Sequence, residues 1–161
     1  MTILSAQSIA CEARTRSLIS PFISSKRVIR GRSYGLSACT YDCRIAHPLV
    51  VPVRQSRLAV TIEKFNIPTN ICASVLDKSS WARLFLSAFN THLDPGWSGF
   101  LTVELANLSE EPVEFREGDP LCQIKFEWLD EPTIMPYEGK YQNQGPKPTP
   151  AIREEVIREE V

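Results

Sequence analysis

Apolar positions recur along this chain with two different spacings. Between Ser5 and Ile19, the residues Ile9, Ala10, Ala13 and Leu18 fall on one helical face, with Ser5 as an N-cap candidate and Pro21 as a stop. The spacing predicts a short opening helix. Beyond it the pattern changes to short runs rich in β-branched and aromatic residues at 26–29, 41–45, 49–53, 57–63, 71–75, 99–105, 113–115 and 121–128. Pro48, Pro52, Pro68, Pro95, Pro112 and Pro120 stand at or near the edges of these runs, where strands tolerate proline. The core is therefore mainly β, a barrel or a sandwich. The stretch 78–86 lacks strand alternation and predicts one short internal helix between two sheets.

Beyond Pro132 the sequence turns polar and proline-rich. It divides into one β domain over 1–136 and a C-terminal arm over 137–161, whose end repeats Ile-Arg-Glu-Glu-Val in tandem at 152–156 and 157–161. The repeat suits a solvated helical turn or a frayed tail.

Composition adds exclusions. A chain of 161 residues with 43% hydrophobic content can bury a real core. Eighteen Lys and Arg against 19 Asp and Glu give a net charge of -1, so nothing draws the chain generally to nucleic acid or an anionic membrane. Any phosphate site must be local. The five cysteines, at 11, 39, 43, 72 and 122, form no C-x-x-C pair and are odd in number, which disfavours both a disulfide framework and a four-ligand zinc site. A reducing cytoplasm and a soluble, unexported chain are expected, because no apolar run reaches membrane-helix length. His47 and His92 are the only histidines, and neither is followed by Glu two places on, so the zinc-deaminase signature is absent.

Four clusters can carry chemistry. In Thr102-Val103-Glu104-Leu105-Ala106, alternation turns Glu104 away from the face of Val103 and Leu105. It reads either as a solvated outer-face glutamate or as a proton shuttle in a site that desolvates it. Lys78-Ser79-Ser80-Trp81-Ala82-Arg83 offers two cations and two hydroxyls, suited to phosphate oxygens or simply to a helix start. Leu93-Asp94-Pro95-Gly96-Trp97-Ser98-Gly99 reads as a tight turn, ordinary or placing Asp94 against a sugar hydroxyl. The fourth crowds Tyr137, Lys140, Tyr141 and Gln144 into an otherwise polar arm.

The order and spacing of these clusters resemble the dCTP deaminase family, which shares its fold with the trimeric dUTPases. The resemblance also takes in Ile3-Leu4-Ser5, Ser33-Tyr34-Gly35-Leu36-Ser37 and Tyr41-Asp42, and is densest from Asp77 to Gln144. It implies a distorted β-barrel of the dUTPase-like fold, assembled as a homotrimer with active sites shared between subunits, and Mg²⁺ bound through the triphosphate rather than by the protein. By position, Glu104 matches the family's general acid/base, and Ser79 and Arg83 match residues that orient water and cytosine from the neighbouring subunit. Lys78 and Ser80 match triphosphate contacts, Asp94 the deoxyribose contact, Thr102 and Val103 the backbone beside the base, and Gln123 a further nucleotide contact. Tyr137, Lys140, Tyr141 and Gln144 match the arm that closes over the phosphates.

The implied reaction is hydrolytic deamination of dCTP to dUTP and ammonia. Two alternatives stay open: a bifunctional enzyme that also releases diphosphate to give dUMP, and a non-catalytic trimeric nucleotide sensor. The chain departs from the family pattern in carrying Asp77-Lys78 where a Gly-Arg pair is common and Phe85 where a glycine is common. Its 83–94 stretch is also short for the family, and 45–56 reads as a trimmed hairpin.

Overall fold

Ile9, Ala10 and Ala13 bury one face of helix α1 (Ala6–Thr15) against the sheets, as their spacing predicts. Ser5 occupies the N-cap position, but its hydroxyl lies 3.2 Å from the Ser8 hydroxyl and makes no cap bond to the backbone. The helix stops well before Pro21. Ser17 turns the chain at φ +54°, and Leu18 and Ile19 go to the core and to strand β2 (Ile19–Ser20) instead. Tertiary burial of those two side chains overrides the helical pattern. The computed structural model describes residues 2–153. Apart from Ile152 and Arg153, the tandem repeat lies outside the described residues.

The remaining elements are β1 (Thr2–Ile3), β3 (Arg27–Ile29), β4 (Arg32–Leu36), β5 (Thr40–Arg44), β6 (Leu49–Val51), β7 (Ser56–Asn66), β8 (Ile71–Leu76), helix α2 (Ser79–Ala82), β9 (Leu86–Ala88), β10 (His92–Leu93), β11 (Ser98–Asn107), β12 (Val113–Phe115) and β13 (Pro120–Trp128). All eight predicted β runs form strands. The predicted internal helix is reduced to the single turn of α2, because the sequence after Arg83 leaves to pair as β9. The strands missed in the sequence are β1, β2, β9 and β10, each too short to show a period, and β4, whose polar residues hide its alternation.

The strands form a mainly β, curled two-sheet barrel. One sheet runs β10-β8-β13-β5-β4-β3 with β1 on β13, and the other runs β2-β7-β11-β9. The 45–56 segment is not a self-contained hairpin: β6 pairs antiparallel with β12. Tyr41, Val75, Ile124 and Phe126 from the first sheet meet Phe65, Val103 and Leu105 from the second in one apolar core, with the Phe65 and Phe126 rings 6.4 Å apart. Cys43 and Cys122 belong to this core as small apolar groups, and burial pushes the Cys43 thiol well above its usual range.

A buried ion pair ties β5 to β7. Glu63 is fully buried, accepts the Arg44 backbone N–H at 2.9 Å, and takes the Arg44 Nε at 2.8 Å. Burial of the Glu63 carboxylate is costly and pushes its pKa up, and the two bonds from Arg44 are the chief interactions that offset it. Truncating Glu63 leaves Arg44, whose side chain is 16% exposed, with an unmatched charge. Glu63→Ala is expected to lower the free energy of unfolding by about 3–5 kcal/mol, read as a fall in the urea midpoint with the slope unchanged.

Candidate active site

Strand β11 sets the position of Glu104. Val103 and Leu105 are 0% and 1% exposed on its core face, so Glu104 between them faces outward with Thr102 and Ala106. The outer face is not open water here. The Glu104 Oε2 atom is buried and has no hydrogen-bond partner among the described residues. A buried acceptor without a partner is costly in a folded protein and marks a place where another group belongs.

Glu104 lines a cavity of about 380 Å³ together with Thr102, Asp94, Tyr137, Tyr141 and Gln144, all singled out from sequence. Three separate clusters therefore converge on one pocket. Leu58, Thr91, His92, Trp97, Thr149 and Ala151 complete much of its wall. Of these only Trp97 stood inside a motif; the others carry no local signal, since the sheet register and the path of the arm bring them there.

Asp94 reaches the pocket through a tight turn. Trp97 N–H donates to the Asp94 carbonyl at 3.1 Å, and Gly96 takes φ +89°. A Cβ on Gly96 would meet Pro136 at 2.7 Å and the Tyr137 nitrogen at 3.0 Å, so glycine is required both by conformation and by the approach of the chain at the start of the arm. Asp94 Oδ1 lies 3.8 Å from His92 Nε2, both side chains being half exposed.

The arm is fastened by backbone bonds. Tyr137 N–H donates to the Pro95 carbonyl at 2.8 Å, Asn143 N–H to Ser98 at 2.8 Å, and Phe100 N–H to Gln144 at 3.0 Å. Trp97 Nε1 donates to the Tyr141 carbonyl at 2.7 Å, and Thr149 N–H to the Thr102 hydroxyl at 3.0 Å. Gln142, which stands inside the arm's sequence cluster but has no role of its own there, is the staple: its amide oxygen accepts Ser98 N–H at 2.7 Å and its NH₂ donates to the Gly96 carbonyl at 2.9 Å. Lys140 is exposed, its Nζ 5.4 Å from the centre of the Tyr141 ring.

The α2 cluster lies elsewhere. Trp81 anchors it, donating Nε1–H to the Pro120 carbonyl at 2.7 Å under the Arg32 guanidinium, which sits 3.8 Å above the ring. Ser79 and Arg83 are exposed and do not line the pocket of their own chain. Lys78 is buried instead of presented: its Nζ donates to Asp42 Oδ2 at 2.6 Å and to the Ser33 hydroxyl at 3.2 Å. Asp42 Oδ1 and Ser80 Oγ are buried with no hydrogen-bond partner among the described residues. Gln123 stands half-buried on β13, opposite Asp42 and Leu76. Val103 turns its side chain into the core, leaving only its backbone toward the pocket side.

The departures from the common pattern have local explanations. Asp77 accepts Ala88 N–H at 2.7 Å and the Ser87 hydroxyl at 3.2 Å, which pins β9 to the end of β8. Phe85 takes φ +59°, the left-handed conformation that glycine adopts without strain.

The sequence model of a family described as dCTP deaminase-like matches residues 43–129. A dCTP deaminase of Roseiflexus castenholzii is 32% identical over an alignment covering 89% of this chain and 96% of that protein. Among solved structures, the 2'-deoxycytidine 5'-triphosphate deaminase of Agrobacterium tumefaciens superposes with a TM-score of 0.65 at 16% identity, over 80% of this chain and 48% of that one. A mutant dUTPase from phage phi11 of S. aureus, whose structure describes the coordination of a structural Mg(II) ion, gives 0.53 at 16% identity, over 62% of this chain and 83% of that one. The barrel is thus of the dUTPase-like kind, and the chain belongs to the dCTP deaminase-like family.

Proposed function

We propose that this protein hydrolyses dCTP to dUTP and ammonia, with Glu104 as general acid/base. The observation that carries the reading is a buried Glu104 oxygen with no hydrogen-bond partner among the described residues, in a pocket shared with Thr102 and Asp94. Hydrolytic deamination needs a group that takes a proton from water, delivers one to the ring nitrogen N3 and helps ammonia leave. A single carboxylate performs all of these when water and ring are held on the same side of it. Thr102 and the Val103 backbone supply the edge on which a base is read, and Asp94 accepts the sugar hydroxyl. Tyr137, Tyr141 and Gln144 border the space left for phosphates, with Lys140 as a cation beside them on the arm.

Ser79 and Arg83 lie outside the pocket of their own chain, which supports a homotrimer in which a neighbouring subunit's Ser79 and Arg83 steady water and base. Ser80 completes the phosphate contacts in this reading. Lys78 joins them only by leaving Asp42, and Gln123 reaches the nucleotide from β13. The 137–153 segment acts as an arm over the 1–136 barrel. In this reading Mg²⁺ is carried by phosphate oxygens and water. Bound in that way, Mg²⁺ neutralises the triphosphate charge. A reducing cytoplasm accords with five free cysteines, and no described helix is long and apolar enough to cross a membrane.

Chromatography of products from dCTP and Mg²⁺ should give dUTP in wild type, and Glu104→Gln should reduce turnover at least about 10²-fold while dCTP still binds. Release of diphosphate would replace this reading with the bifunctional one, and binding without turnover in wild type would replace it with a sensor. Mixing inactive Glu104→Gln and Arg83→Ala subunits by unfolding and refolding together should restore activity, because some mixed sites then carry both intact groups. If activity stays at the level of the separate variants, the shared-site arrangement is wrong. Chelating Mg²⁺ should raise KM for dCTP more than it lowers kcat.

A further inference from the structure

Glu104 is the middle member of a cross-strand row. Leu58 of β7 lies directly opposite it on one side. On the other side, the β9 register pairs Ala88 with Leu105, and its next residue, Phe89, donates its N–H to the Glu104 carbonyl at 2.9 Å. Residues directly opposite in an antiparallel pair share a face with Cβ atoms about 5 Å apart. Leu58 and Phe89 therefore flank the carboxylate on the outer face of the sheet.

Neither side chain is used by the core. Leu58 is 36% and Phe89 53% exposed, whereas Ala88 and Leu105 beside them are 5% and 1% exposed. A single exposed apolar residue is ordinary on a protein surface. Two of them bracket a carboxylate whose Oε2 has no hydrogen-bond partner among the described residues; Leu58 lines the cavity with Glu104, and Phe89 stands on the other side of Glu104, next to but outside that lining. A flat ring that is apolar on its faces and polar at its edge matches this arrangement. Its faces or flanks meet Phe89 and Leu58, and its edge meets Glu104.

We infer that Phe89 and Leu58 are base-binding residues that grip the pyrimidine ring of the nucleotide beside Glu104. The identity of the ring rests on the deaminase reading above; the flanking geometry does not. Aromatic contact with a base is tolerant of ring substituents and depends on the presence of a π face. Phe89 therefore contributes affinity for pyrimidine rings in general, and the Glu104 side of the pocket distinguishes among them.

The test uses the full-length protein with Phe89→Ala, Phe89→Tyr and Leu58→Ala, assayed for dCTP kinetics, thermal midpoint and assembly size by light scattering. Phe89→Ala should raise KM for dCTP about tenfold with midpoint and assembly size unchanged. Leu58→Ala should raise it less, and Phe89→Tyr, which keeps the ring, should recover most of the loss. An unchanged KM in Phe89→Ala would overturn the inference. So would a changed KM accompanied by loss of the assembly, which would assign Phe89 to contact between copies. Calorimetric titration with dCTP, dUTP and dTTP separates this idea from the deaminase reading. Wild type that forms no dUTP, with pyrimidine nucleotides bound more weakly by Phe89→Ala, would sink the reaction and retain the grip. Wild-type turnover with all variants unaltered would sink the grip alone.

Discussion

Because side chains alternate along an extended strand, packing Leu101, Val103 and Leu105 into the core turns Thr102 and Glu104 outward together. The pairing of β11 with β7 on one side and β9 on the other holds that alternation in register. A slip by one residue would bring Glu104 into the core and expose Val103, a cost no local rearrangement could offset. The position of the central carboxylate is therefore enforced by burial of its neighbours. The register shift between Phe100 and Thr102 adds to this. Before it, Ser98 to Phe100 meet the arm; after it, Thr102 and Glu104 face the pocket.

Much of this was legible in the sequence because it follows from local rules. Alternation disclosed the strands that became β7, β11 and β13, and it assigned the correct face to Glu104. The Asp94 turn announced itself through Pro95 and Gly96. What escaped depends on partners distant in the chain. His92 and Leu58 carry no motif, and they reach the pocket because β10 pairs with β8 and β7 with β11. The end of α1 escaped for a related reason: Leu18 and Ile19 fit a helical face, but sheet burial claims them.

Lys78 shows how much composition leaves open when burial is unknown. Beside two serines and an arginine it reads as a phosphate ligand, yet in this structure it is 5% exposed and bonded to Asp42 and Ser33. A buried lysine needs a carboxylate, and β5 supplies one across 36 positions of sequence. The pair fastens the residue before α2 to the first sheet, while Trp81 fastens the turn itself to the Pro120 carbonyl. Ser79 and Arg83 are thus presented from a rigid base although the helix has only four residues. Precision in a short helix comes from what its ends are tied to.

The floor and the roof of the pocket are built differently. The floor is a central strand with a closed core behind it. The roof is an arm whose ties to the barrel are chiefly the hydrogen bonds of Tyr137, Tyr141, Gln142, Asn143, Gln144 and Thr149, with Tyr137 alone among them packed against the core. Regions with few buried apolar contacts open at far lower free energy than the core strands. Opening the arm leaves Glu104 where burial of Val103 and Leu105 has fixed it, which on the proposed function admits and releases the nucleotide without disturbing the carboxylate. The proposed deamination needs both access and exact proton geometry, and it would place those two demands on the arm and on β11, which adjoin where Gly99 meets Gln144.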